Sequence, residues 1–348
     1  SNTLTVSCKF LGLSSYKTIN IPLDSNNFDK LDEPNRPHLL PETIYEENNT
    51  IIIPKGNHYF TNHVVVANNK RLQIDGGANL FFNKESALIS HGPMEMNGTP
   101  HERITLTSTS SSFPGIYLHS VLGESHVKYV DFSNVSGIGT RTNPNGIELN
   151  GWDLTGGITT YKSKVHFQNC SFRNFTTEDA LNVISSSFSL QDTNFSDISS
   201  DAFDGDFVNG SISGCHFSNI SGDGVDFSGS VSTVKNCFSN TISDKALSVG
   251  ENSQVKIIGC SIDNSPFGIV SKDYSSVQVY RSTVINAKTA AFAAFQKKNS
   301  FGPASIKVLN PQNPISKQNF LIQIGSSGWL NGTRIASIPF KSQDLYPD

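Results

Sequence analysis

Asp179, Asp201, Asp223 and Lys245 follow one another at a constant spacing of 22 residues. Each opens the same short phrase: Asp179-Ala-Leu-Asn-Val, Asp201-Ala-Phe-Asp-Gly, Asp223-Gly-Val-Asp-Phe and Lys245-Ala-Leu-Ser-Val. At Phe267-Gly-Ile-Val-Ser the phrase returns without its charge. A fixed period in this range marks a repeat architecture, in which one small unit stacks on the next. The same period stacks acidic side chains into columns.

Each unit holds three short runs of alternating character and none of helical period. In Asp201–Gly222 the runs centre on Phe203, Ile212 and Phe217. The corresponding sites are Val225, Val234 and Phe238, then Leu247, Val255 and Ile262, then Ile269, Val277 and Val284. Period-two runs bounded by Ser, Asn, Asp and Gly are the strand signature. Three strands per turn, stacked on themselves, predict an all-β, single-stranded parallel β-helix with rungs about 4.8 Å apart. Gly115-Ile-Tyr-Leu and Gly146-Ile-Glu-Leu read as earlier rungs, with 137–144 and 151–162 as loops leaving the coil. Residues 51–310 are expected to form the coil, 1–50 an N-terminal cap and 311–348 a C-terminal cap, since a solenoid needs covered ends.

The bulk numbers exclude several classes of function. Net charge is −4, only 16% of residues are charged, and there is no basic run, which argues against nucleic acid. No apolar stretch has the length of a membrane span. Abundant Ser, Asn and Thr with sparse charge suit a secreted, periplasmic or cell-surface solenoid. Cys170, Cys215, Cys237 and Cys260 share one site of the repeat. They are expected to be unpaired thiols facing the core, because directly stacked parallel strands are an awkward match to disulfide geometry. Asn174, Asp197, Asn219, Asn240, Asn264 and Asn286 recur at one turn and read as a structural ladder.

With Leu181, Phe203, Val225 and Leu247 inward, the intervening residues point out. One outward column is then Glu148, Asn182, Asp204, Asp226 and Ser248, and a second contains Asp206 and Lys272. Asp179, Asp201, Asp223 and Lys245 flank this face, with Glu178 and Asp244 beside them. Like charges about one rung apart repel unless a cation or a proton sits between them. Folding gains nothing from such a pile, so it is a candidate site. Two structural readings stand beside this one. Asp at a strand-entering turn can bond backbone amides, and Lys245 can be a plain ion pair with Asp223.

The phrases Gly156-Gly-Ile-Thr-Thr-Tyr, Glu178-Asp-Ala-Leu-Asn, Ser200-Asp-Ala-Phe-Asp-Gly and Asp244-Lys-Ala-Leu-Ser-Val resemble the right-handed parallel β-helix proteins of the pectin-lyase-like superfamily. Within it they look most like bacterial repeat proteins associated with CotH (spore-coat-kinase-like) domains, which implies a CotH-like domain or protein as a partner. Asp223-Gly-Val-Asp226 is also similar to the catalytic phrase of polygalacturonase-type glycosidases, with Asp244-Lys245 where that family carries paired Asp. The departures are Lys245 for the second Asp, Phe267 where the family has a His, and Ala293 and Phe295 near the place of its Arg-x-Lys, which favour the scaffold expectation below.

These resemblances imply a polysaccharide-degrading enzyme, glycosidase or lyase. The expected catalytic residues are Asp223, Asp226, Asp204, Asp244 and Lys245. Asp201, Asp206, Glu148, Asn182, Lys272, Trp152 and Tyr117 are expected to bind substrate. No motif fixes a cofactor. A calcium ion on Asp204, Asp206 and Asp226 is the one that the lyase branch would use. The competing expectation is a non-catalytic scaffold binding a glycan or a partner along the same face.

Overall fold

The computed structural model describes residues 3–8, 17–22, 41–137 and 154–345. Three strands recur per turn. They are illustrated by Asp179–Ile184 on a first face, Ser187–Gln191 on a second and Asn194–Ile198 on a third. Each pairs in parallel with its equivalent one turn on: Asp201–Asp206, Asn209–Ser213 and His216–Ile220. About 12 such turns of about 23 residues make up the solenoid. Among the described residues the only helical segments are two short 3-10 turns, Lys317–Asn319 and Ser342–Leu345.

The corners are sharp because single residues take the left-handed conformation. Asn174, Asp197, Asn219, Thr241, Asn264 and Asn286 do so, with φ between 53° and 59°. Asn and Asp tolerate this region better than other side chains. Their side chains also link turns: Asn219 Nδ2 donates to Asp197 Oδ1 at 3.2 Å, and Asn264 Nδ2 to Thr241 Oγ1 at 3.4 Å. The ladder expected from the sequence is therefore present, with Thr241 in the place assigned to Asn240.

Inward residues fill the coil as stacks. Phe172, Phe195 and Phe217 lie ring on ring, with centroids 4.5 and 5.1 Å apart. The next rung departs from expectation. Phe217 pairs with Ser239, which is buried, while Phe238 pairs with His216 and is 37% exposed. Ladder hydrogen bonds hold the register, and a displacement of one residue moves a side chain to the opposite face. Cys170, Cys215, Cys237 and Cys260 are buried free thiols, as expected. Burial pushes the Cys170 thiol up to about 12.

In two rungs strand pairing carries on through the corner at Asn264 and at Asn286. Ser261–Lys272 and Thr283–Phe295 run continuously from the third face onto the first, with a register shift between Ser265 and Phe267. The rung beside Gly115–His119 is Gly156–Tyr161. It takes the place expected for Gly146–Leu149, which lies outside the described residues. Parallel pairing continues past the boundary at 310, through Phe320–Ile322 and Ser327–Leu330, before Thr333–Ile335 turns back antiparallel. The insertion around 311–319 hides that last turn from the period. At the other end, Thr3–Cys8 pairs antiparallel with Lys17–Pro22, and Tyr45–Glu47 with Thr50–Ile53.

Candidate functional site

Ladder register brings the predicted acids together on the first face. Asn182 pairs with Asp204, and Asp204 with Asp226; Ile184 pairs with Asp206. The outward column runs Tyr117, Thr159, Asn182, Asp204, Asp226, Ser248 and Val270. Thr159 thus holds the place expected for Glu148. Glu148 and Trp152 lie outside the described residues.

The expected exposure is not found. Asp179, Asn182, Asp223, Lys245 and Lys272 are all at most 5% exposed, and Ser248 is fully buried. Asp201, Asp204, Asp206, Asp226 and Asp244 are half-buried. Tyr117, expected to meet substrate, is 3% exposed and packs with Ala87, Ile89 and Leu154.

The entering column has a structural duty. Asp201 Oδ1 accepts from the Asp223 amide at 2.7 Å, and Asp223 Oδ1 accepts from the Lys245 amide at 2.9 Å. Each of these carboxylates therefore ties its own rung to the next. Asp179 Oδ2 accepts from Thr155 Oγ1 at 2.8 Å. The ammonium of Lys245 lies 3.0 Å from Asp223 Oδ1 and also contacts Asp244. Lys272 Nζ lies 3.8 Å from Asp226 Oδ2. Asn182 Nδ2 donates to Asp204 Oδ2 at 3.2 Å and reaches Asp206 Oδ2 at 3.5 Å. Oδ1 of Asp226 and Oγ of Ser248 have no hydrogen-bond partner among the described residues.

Burial and mutual repulsion unsettle these acids. Burial, with the charges of Glu178, Asp206 and Asp226, pushes Asp179 up to about 7 against the hydrogen bond from Thr155. Burial pushes Asp201 to about 7 as well, aided by Asp179 and Asp226. Asp223 also rises to about 7 through burial, despite Lys245. Asp204 is driven well above the carboxylate range by burial and four neighbouring carboxylates. Burial alone would lower Lys272, but Asp226 and Asp223 outweigh it and hold its ammonium charged. Burial therefore favours the protonated form of Asp179, Asp201, Asp204 and Asp223 over the ionised one.

A cation was expected on Asp204, Asp206 and Asp226. Among the described residues the group whose oxygens converge within 4.8 Å of one another is instead Asp201, Asp223 and Asp226. Calcium takes six to eight oxygen ligands. Here two ammonium groups already stand against Asp223 and Asp226, and Asn182 donates to Asp204 and Asp206. These residues do not fit a calcium cage, and the lysines supply the compensating charge.

Glu251 belongs to the site but was not anticipated. It sits at the left-handed corner after the first face, with φ 52°, accepts from Ser228 Oγ at 2.8 Å and pairs with Lys298 Nζ at 2.5 Å. Its charge bears on Asp206 and Lys272. The signal was available: corner residues one period apart border the same face as the columns.

Comparison with known proteins agrees with this architecture. Residues 156–310 match the family model described as a right handed beta helix region. No curated protein sequence matches the chain. Among solved structures, the gp42 tailspike of Acinetobacter phage vb_AbaP_AS12 superposes with a TM-score of 0.57 at 11% identity, over 87% of this chain and 66% of that one. The periplasmic alginate epimerase AlgG superposes with a TM-score of 0.52 at 10% identity, over 86% of this chain and 81% of that one. At such identities the likeness is one of fold. The chain is a right-handed parallel β-helix with a partly buried acidic cluster on its first face.

Proposed function

We propose that this is a carbohydrate-active β-helix protein, acting outside the cytoplasm, that hydrolyses a polysaccharide at the acidic cluster. The observation that carries the reading is the convergence of Asp201, Asp223 and Asp226 within 4.8 Å across adjacent rungs. Glycoside hydrolysis needs one protonated and one ionised carboxyl at the scissile bond. Asp201, which burial and its acidic neighbours push up to about 7, supplies the proton donor. Asp226 supplies the carboxylate: its side chain is 21% exposed against 6% for Asp223, and the Lys272 ammonium stands 3.8 Å from its Oδ2. Asp204 and Asp206 extend the face upstream, and Asp244 and Lys245 lie on the next rung. A phage tailspike and an alginate epimerase share the coil, which supports a glycan as ligand.

The lyase variant needs a lysine base. Lys272 is held protonated by Asp226 and Asp223, and Lys245 is ion-paired to Asp223 and Asp244, so neither is placed to take up a proton. The alternative is a non-catalytic scaffold binding a glycan or a CotH-like partner. It draws on one specific observation, the backbone-bonding duty of Asp201 and Asp223. The test is a polysaccharide panel followed by both reducing ends and absorbance of unsaturated products, with wild type and Asp226→Asn. New reducing ends, lost in the variant, support hydrolysis. Unsaturated products would point to a lyase, and binding without turnover to the scaffold.

A further inference from the structure

Phe207 immediately follows Asp206 and turns the chain off the first face. It is 67% exposed, and its φ is 54°. A bulky residue rarely takes the left-handed region, where its Cβ crowds the backbone. Its neighbours along this corner are Ser185, Gly229 and Glu251, joined rung to rung by backbone hydrogen bonds such as Phe207 N to Ser228 O at 2.8 Å. The ring packs closely against Gly229: a Cβ there would sit 2.6 Å from Phe207 Cδ1. Three rungs further, roughly 14 Å along the axis, the pattern repeats. Tyr274 has φ 65°, is 57% exposed, and lies against Gly302, where any side chain would overlap its ring. Two exposed aromatic rings are thus each packed against a glycine, in a backbone state that costs stability. Between them, Glu251 reaches from the same corner onto the acidic face.

We propose that Phe207 and Tyr274 are stacking platforms that seat pyranose rings of a glycan along the corner that borders the acidic cluster. This rests on the carbohydrate reading above and assigns it two binding residues. A pyranose offers one apolar C–H face, which suits the electron-rich face of an aromatic ring, and a rim of hydroxyls. Phe207 follows Asp206 directly, and Ser228 and Glu251 lie on the next two rungs of the same border, hydrogen-bonded to each other, where they offer polar groups to a sugar's hydroxyls. A docking protein would call for a contiguous apolar patch, which these polar neighbours interrupt.

The test measures retardation in native gels containing polygalacturonate, alginate or dextran, with melting temperature followed in parallel. Asn accepts the left-handed corner more readily than Phe, so Phe207→Asn separates binding from folding. The expected result is retardation of wild type by at least one polymer and about tenfold weaker binding by Phe207→Asn, the order of loss for an aromatic anchor. Melting temperature should be unchanged or higher, and Phe207→Tyr should bind as wild type does. Tyr274→Asn should weaken binding in the same direction. Equal binding by wild type and Phe207→Asn would overturn the proposal and leave the carbohydrate reading standing. A loss of binding that tracks a loss of melting temperature would overturn it too, by making Phe207 structural. If none of the three polymers retards wild type, the carbohydrate reading fails and the platforms fail with it.

Discussion

Asp179→Asn offers the most direct test of the repulsion described for this face. Asp179 is 3% exposed, and burial with the neighbouring charges takes it from 3.8 to about 7. Because the folded value lies above the unfolded one, the native chain binds more protons between about pH 4 and pH 7. Its stability is therefore full below about pH 4 and is lost as pH rises through 7. Each pH unit of displacement corresponds to about 1.4 kcal/mol, so a lone group of this kind would cost on the order of 4 kcal/mol at pH 8. Asp179, Asp201 and Asp223 share their protons, and removing one charge should recover about half of that, on the order of 2 kcal/mol. The amide oxygen of Asn still accepts from Thr155, so the isostere removes charge and little else. Melting temperatures followed by circular dichroism from pH 4 to pH 8.5 should show wild type losing stability as pH rises. The variant should match wild type at pH 4 and exceed it by about 3 °C at pH 8. A variant equally destabilised at both ends, or a wild type whose stability rises across this window, would refute the argument.

Asp226→Asn should abolish turnover on the polysaccharide panel while shifting the melting temperature by only a few degrees; retained turnover would move the chemistry elsewhere. Lys272→Met should destabilise the fold by about 3 kcal/mol at pH 8, because it leaves Asp226 beside other carboxylates without its buried cation. Denaturant titration would show this, and a neutral or stabilising result would mean that the cluster sheds its charge as protons. Calcium and chelator should leave the melting temperature unchanged, since the ammonium groups serve as the cations; a calcium-dependent rise would contradict that. Cys170, Cys215, Cys237 and Cys260 should resist thiol reagents in the native state and react on unfolding. Two or more disulfides in non-reducing mass spectrometry would contradict the free-thiol assignment.

Much of this site was legible in the repeat. A period of 22 with two-residue alternation places Asp204 beside Asp226 whatever the details of packing, and the ladder register agrees. What failed was the choice between competing cues. Phe238 looks like the core residue of its rung, yet Cys237 is 22 residues after Cys215 and places Ser239 inward. Gly146-Ile-Glu-Leu matches the repeat phrase, but ladder hydrogen bonding is set by the chain that arrives, which is Gly156–Tyr161. Burial of the acidic face was not legible at all. Alternation says which side of a strand a residue takes, and nothing about what packs against the outside of the coil.

The entering column also changes sign once along the axis, from Asp179, Asp201 and Asp223 to Lys245 and then to uncharged Phe267. A stack of identical rungs already has a direction, because every strand runs the same way and the coil is handed. What identical rungs cannot do is mark a place along that direction. The rung where lysine replaces aspartate does so: its ammonium, buried against Asp223 and Asp244, closes the acidic column at one end. One lysine in a row of aspartates is therefore enough to give a repetitive stack a defined boundary.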